Sequence, residues 1–226
     1  MSSLHLTSTR TNPQPRTLSH RVLVLVAFVV AFGAPALSPA AGLTKGELNT
    51  ALRKLWEEHV TWTRSFVVSA TSGLPDQEAT ANRLLKNQSD IGNAVKPFYG
   101  DAAGDKLTAL LKDHILIAAG LITAAKAGDS AKLEEFKKRW YANGDDIAAF
   151  LSGANPSQWP LDAVKGMMRE HLDLTTQSVV ARLQGDWKSD IAAYDKIHEH
   201  ILTLSDTLAK GIFAQFPDKF VWATSN

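Results

Sequence analysis

The sequence predicts an all-α protein, an antiparallel bundle of three repeated helical hairpins with about six helices. Three observations carry this. A phrase, Leu-x-x-His with Gly fourteen residues beyond the His, occurs at His59/Gly73 and His114/Gly128, and a looser copy with Met168 in place of Leu occurs at His171/Gly185. Such self-similarity marks a repeated supersecondary unit. Apolar residues recur at alternating four- and three-residue steps, the signature of a helix face turned to other helices. Alternating β-branched runs between turn residues, which would signal strands, do not occur.

Residues 1–40 read as a cleavable export signal. A polar, basic stretch precedes the unbroken apolar run Val22 to Phe32, followed by Ala34-Pro35-Ala36 and Ser38-Pro39-Ala40. That run is too short to cross a bilayer comfortably, since a spanning helix needs about 20 apolar residues. Cleavage near Ala40 or Ala41 leaves residues 41–226 as one helical-bundle domain, periplasmic or extracellular, with no stable membrane insertion. The first 40 residues hold Arg10, Arg16 and Arg21 and no acid, so the remainder carries 21 basic against 23 acidic residues. A near-neutral body argues against nucleic-acid binding, which calls for a clustered basic face. The absence of cysteine removes disulfides, thiolate metal sites and Cys nucleophiles together.

The helices follow in order. Thr44-Lys45-Gly46-Glu47 fits a capping box opening the first helix, whose stripe Leu48, Leu52, Leu55, His59, Trp62, Phe66, Ser69 ends at Gly73. Pro75-Asp76 opens the second, which carries Arg83, Asn87, Gln88 and Asp90 and closes at Pro97 and Gly100. The third begins near Asp101, with stripe Leu107, Leu110, His114, Ile117, Leu121, Ala124. Gly128-Asp129 turns into the fourth, which stops before Asn155-Pro156. The fifth starts near Trp159-Pro160, with stripe Val164, Met167, His171, Leu174, Ser178, Ala181. Gly185-Asp186 turns into the sixth, whose stripe Trp187, Ile191, Tyr194, His198, Ile201, Ser205, Leu208, Ile212 ends before Pro217. The tryptophans 56, 62, 140 and 187 read as core residues.

The repeat also predicts chemistry. Fourteen residues down a hairpin and about fourteen back return the chain to the same height, each leg being about 21 Å. His59 then stands level with Asn87 and Gln88, His114 with Asn143, and His171 with His198 and His200. In register, the hairpins would assemble a transverse layer of His59, His114, His171 and His198, with Asp90, Asp146 and Asp195 as carboxylates. Asp195 and His198 share a helix face at i, i+3, like the carboxylate–histidine pairs of di-metal bundles. His198 is preferred to His200 because it lies on the 4-3 stripe. Neutral imidazoles converging from several helices suit Zn, Cu, Ni or Fe. The reading is therefore a metal-ion-binding bundle for storage, delivery or sensing. The alternatives are a metal-free structural or partner-binding bundle whose histidines form a polar network, and a metal- or His-dependent enzyme. Arg64 and Arg83, beside the layer, are candidates for holding a carboxylate or an anionic small ligand. No nucleophile elbow, phosphate loop or dinucleotide fingerprint occurs.

The phrases LWEEHVTWTRSFVVSA, RLLKNQSDIGNAVKPFYG, HLDLTTQSVVARLQGDW and QFPDKF resemble those of a group of bacterial helical proteins labelled hypothetical, glycosyltransferase or acetylglutamate kinase. The resemblance covers nearly all of residues 48–220 and implies a compact family fold. An all-helical chain lacks the α/β nucleotide-binding sheet that either enzyme label implies, so neither activity is carried over.

Overall fold

The computed structural model describes residues 42–221; the expected export signal over 1–40 lies outside them. Six helices follow one another: α1 (Lys45–Ser72), α2 (Gln77–Tyr99), α3 (Asp101–Ala127), α4 (Ser130–Ala154), α5 (Leu161–Leu183) and α6 (Trp187–Gln215). No strand forms among the described residues, so the protein is an all-α bundle. Each helix packs against the next in sequence, and α6 packs against α1, closing a ring. Connections of one to six residues force neighbours to run antiparallel. Odd-numbered helices accordingly end together, as the hydrogen bond from Lys126 Nζ to the Ala70 carbonyl (2.9 Å) shows. Even-numbered helices end at the opposite pole, where Gln215 Nε2 donates to the Ala154 carbonyl (3.0 Å).

The boundaries follow local chemistry. Thr44 Oγ1 accepts from the Glu47 amide while the Glu47 carboxylate accepts from the Thr44 amide, a complete capping box. Asp129 and Asp186 cap α4 and α6 through their side chains. Gly73 and Gly128 terminate α1 and α3 with φ of 66° and 69°, a left-handed conformation that glycine adopts without a Cβ clash. Pro97 does not close α2; it sits inside its last turn, and the helix runs on to Tyr99. A single residue, Gly100, then separates α2 from α3. The two helices approach closely where Gly92 faces Gly104: a Cβ on Gly104 would stand 2.6 Å from the Gly92 carbonyl oxygen.

The main core gathers Leu48, Leu52, Leu107, Ile147, Ile201 and Ile212 with their neighbours at the pole where the even helices end. A second cluster around Phe66, Leu84, Ile115 and Val179 fills the other pole. Phe220 packs back on Phe98 with ring centres 5.7 Å apart, and the Val221 amide donates to the Leu43 carbonyl (3.0 Å). Trp56 and Trp140 are buried and Trp62 half-buried, but Trp187 is 57% exposed and lies against Arg182 at the surface. The stripe through α6 explains this. Its upper half buries Asp190, Ala193 and Ile197, with Ile191 left exposed. A strict seven-residue repeat drifts about 20° per heptad around a straight 3.6-residue helix, so the face rotates by most of a residue over the length of α6.

Candidate functional site

Three histidines predicted for the layer are brought together. His59 on α1, His114 on α3 and His171 on α5 are each at most 6% exposed. The His171 ring centre lies 5.9 Å from that of His59 and 6.3 Å from that of His114. All three border two small cavities, of about 40 Å³ toward Leu52, Leu107 and Leu204 and about 30 Å³ toward Phe66, Leu121 and Val179. Each is large enough for a water molecule or two, given the 10–15 Å³ one water needs.

The hydrogen bonds fix the protons of two rings. Asn87 Nδ2 donates to the Leu55 carbonyl (3.0 Å), so Asn87 Oδ1 faces Gln88 as an acceptor. Gln88 Nε2 donates to that oxygen (3.1 Å) and to the Leu84 carbonyl (2.9 Å), which sets the Gln88 amide. His59 Nδ1 is 3.2 Å from the same Nε2. The amide nitrogen offers no lone pair, so Nδ1 stands unprotonated, sharing one of the two amide hydrogens, and the His59 proton belongs on Nε2. His114 is the reverse. Its Nδ1 lies 2.8 Å from Asn143 Oδ1, while Asn143 Nδ2 donates to the Leu110 carbonyl (3.1 Å). His114 Nδ1 therefore donates and its Nε2 carries the lone pair. His171 Nδ1 and Gln88 Oε1 are buried without a protein partner. Thr63 and Thr175 do not serve the rings; their hydroxyls donate to the His59 and His171 carbonyls (2.7 and 2.8 Å).

Burial dominates the electrostatics. Loss of hydration pushes the His59 imidazole down to about 3, the proximity of His114 adding to this and Gln88 opposing it. Burial pushes His114 down to about 4, against the Asn143 hydrogen bond. His171 is driven well below the usual imidazole range, by burial first and then by the neighbouring His59, His114 and His200. All three rings are neutral at any ordinary pH.

The remaining predicted residues stand elsewhere. His198 does not join the layer; it is partly exposed, with Nε2 3.1 Å from Glu57 Oε1. His200 takes that level instead. Its ring lies 6.2 Å from His171 in a near-parallel stack, and its Nε2 donates to the Met167 carbonyl (2.9 Å). The α6 face has rotated by that point, which turns His198 toward α1 and the surface. The sequence held the signal: Gln88, Asn143 and His200 each stand 29 residues after a layer histidine. Among the described residues no carboxylate pairs with His59, His114 or His171, and Glu170 reaches only His200 Nδ1 (3.5 Å). Asp90 pairs with Lys86 (2.8 Å), and Asp146 and Asp195 are exposed. Among the described residues, no three His, Asp or Glu side chains are gathered closely enough to hold a metal ion as they stand. Arg83 pairs with Glu58 (2.9 Å) and lies over Trp62.

Arg64 belongs to a second polar centre that sequence reasoning did not foresee. Asp190, 1% exposed, receives Arg64 Nη2 (2.7 Å), Arg182 Nη1 (3.0 Å) and the Ser178 hydroxyl (2.7 Å). Burial raises the Asp190 pKa, but the bonds from Arg64, Ser178 and Arg182 outweigh it and hold the carboxyl below its ordinary value. This centre ties α1, α5 and α6 together. Asp190 escaped notice because it falls off the 4-3 stripe of α6.

No family model, curated protein or solved structure matches the chain.

Proposed function

We propose that this protein binds one transition-metal ion, of the zinc, copper, nickel or iron class, through His59, His114 and His171. In this reading it is an exported helical bundle that stores, delivers or senses the ion in a periplasmic or extracellular space. The observation that carries the reading is the layer itself. Three neutral imidazoles from three helices border the same pair of cavities, and His171 has no protein partner for its buried Nδ1. Neutral imidazole is the ligating form. An imidazole bound at about 2.0 Å has its ring centre about 3.2 Å from the ion, so three in a trigonal set stand about 5.5 Å apart. The His171 ring stands 5.9 and 6.3 Å from those of His59 and His114, each within about 1 Å of that spacing. His114 fits best, because its outer Nδ1–H is already oriented by Asn143 and its Nε2 lone pair is free.

The threefold hairpin repeat is part of the proposal. Asn87, Asn143 and His200, from α2, α4 and α6, each donate to the carbonyl four residues before a layer histidine, at Leu55, Leu110 and Met167. One construction rule repeated three times brings one histidine per hairpin to a common level.

A second reading is a metal-free polar network that fixes helix register. The bonds His59–Gln88 and His114–Asn143, with amide partners in place of carboxylates on both rings, favour it. Elemental analysis of the purified protein after equilibration with Zn, Cu, Ni and Fe and desalting separates the two. One retained ion per chain, lost in His171→Leu with helicity intact, supports the metal reading. No retained ion, with stability the only property changed by the substitution, supports the network.

A further inference from the structure

The Asp190 centre carries more positive than negative charge. Arg64 on α1 and Arg182 on α5 share its single carboxylate, and Ser178, the third side chain bonded to it, is neutral. Arg64 Nη1 meets Asp190 Oδ1, while Arg64 Nη2 (2.7 Å) and Arg182 Nη1 (3.0 Å) converge on Oδ2. The two guanidiniums therefore meet at one oxygen supplied from inside the bundle. A terminal guanidinium nitrogen has two hydrogens, so Arg64 Nη2 and Arg182 Nη1 each keep one beyond the bond to Oδ2. Arg182 Nε is occupied by Thr71 Oγ1 (3.2 Å), and Arg182 Nη2 meets no acceptor among the described residues. Neither arginine holds a nitrogen that is both buried and unpaired. The Arg64 and Arg182 side chains are 20% and 14% exposed, against 1% for Asp190, so the spare N–H groups face outward.

An apolar ledge adjoins them. The Arg64 guanidinium lies over the Tyr194 ring and that of Arg182 over the Trp187 ring, each 5.3 Å from the ring centre. Such stacking holds a guanidinium in place. Ile191 stands four residues after Trp187 and three before Tyr194, so the three share one face of α6. Trp187 is 57% and Ile191 55% exposed, two large apolar side chains left in water beside a pair of cations.

We propose that this edge of the bundle binds a small organic carboxylate with an apolar body, an alkyl or aryl monoacid. Its carboxylate bridges the outer N–H groups of Arg64 and Arg182 as Asp190 bridges the inner ones, and its body lies on Trp187 and Ile191. The charge count selects a monoanion. Two arginines against one aspartate leave one positive charge, and the exposed Asp186 and Lys188 on the same turn offset each other. The planar fork of a guanidinium matches a carboxylate edge and gives charge-assisted hydrogen bonds. The partly buried setting strengthens them, because it screens the charges less than bulk water does. Both arginines are held before any ligand arrives, by Asp190 and by their rings, so little ordering is spent on binding. This site neither needs nor excludes an ion at the histidine layer.

The test is isothermal titration calorimetry of the full chain with octanoate, alongside acetate, inorganic phosphate and 1-octanol. The expected result is one octanoate per chain, bound at least about tenfold more tightly than any of the other three. Arg182→Gln leaves Asp190 on Arg64 and Ser178, and should weaken octanoate at least about tenfold with helicity retained. Trp187→Ala, at an exposed position, should bring octanoate to within about threefold of acetate. Acetate, phosphate or 1-octanol bound as tightly as octanoate would overturn the ligand class. Octanoate bound equally by the native chain and both variants would overturn the site, and so would no saturable binding by the folded native chain.

Discussion

Acidification should destabilise this bundle from about pH 6.5 downward, before its carboxylates begin to protonate. His59, His114 and His171 are neutral in the folded state, with the first two held near about 3 and about 4 against an ordinary 6.5. The unfolded chain therefore binds more protons below pH 6.5, and stability falls as the pH drops from there toward the folded values. Each such histidine removes about 1.4 kcal/mol per pH unit. At pH 4.5, about two units below the unfolded value, His59 and His114 together cost about 5 kcal/mol, and His171, also driven down by burial, adds to the loss. A domain of this kind has about 5–15 kcal/mol in all, so an acid midpoint between about pH 4 and 5 is expected. Urea melts followed by circular dichroism at half-unit steps from pH 7.5 to 4.5 measure the slope. Between pH 6 and 5 it should approach 4 kcal/mol per unit, about three protons, and His171→Leu should reduce it by about a third. A free energy of unfolding that stays flat between pH 6.5 and 5 would refute the reasoning, because it would mean that the imidazoles ionise in place.

Three further outcomes are expected from the packing. Asp190→Ala strands Arg64 and Arg182 with half-buried charges and should cost about 3–5 kcal/mol in urea unfolding. Asn143→Leu removes the acceptor of His114 Nδ1 and the donor to Leu110, and should cost about 2–3 kcal/mol by the same measurement, with the His114 ring nitrogen shifts in NMR reporting a changed tautomer. Gly104→Ala drives a methyl into the Gly92 backbone and should cost about 1–3 kcal/mol, whereas Gly166→Ala, a helical position with open space around it, should stabilise by up to about 1 kcal/mol in a thermal melt.

The helices were legible because each rests on local chemistry: the Thr44/Glu47 box, the glycine terminators and the short polar turns. The three inner histidines were legible for the same reason, since α1, α3 and α5 keep their apolar stripes over the span that matters. The fourth was not. A heptad template extended along the 29 residues of α6 points to His198, but the buried face there is centred on Ile197 and Ile201, with His198 on the flank toward α1 and His200 on the flank toward α5. Long-range pairing was equally out of reach. That Asp190 would meet Arg64, 126 residues away, depends on the closure of α6 on α1, which no spacing rule within one hairpin encodes. The layer was also expected to include carboxylates. Asp146 lies three residues beyond Asn143, yet it is exposed while Asn143 and Ile147 beside it are buried, because α4 gives those positions the inward face.

The ring closure imposes an order on assembly. Five of the six helix pairings join neighbours in sequence and need only a short turn to form. The sixth, α1 against α6, joins the two ends of the described chain through Arg53 and Asp206 and through the Leu43 carbonyl and the Val221 amide. Contacts of such separation form late, because the loop they close is long. Until α6 docks, Arg64 on α1 therefore lacks its Asp190 carboxylate, with only the Ser178 hydroxyl of α5 in reach. The buried arginine–aspartate knot, which joins α1 and α5 to α6, is the latch that shuts the ring.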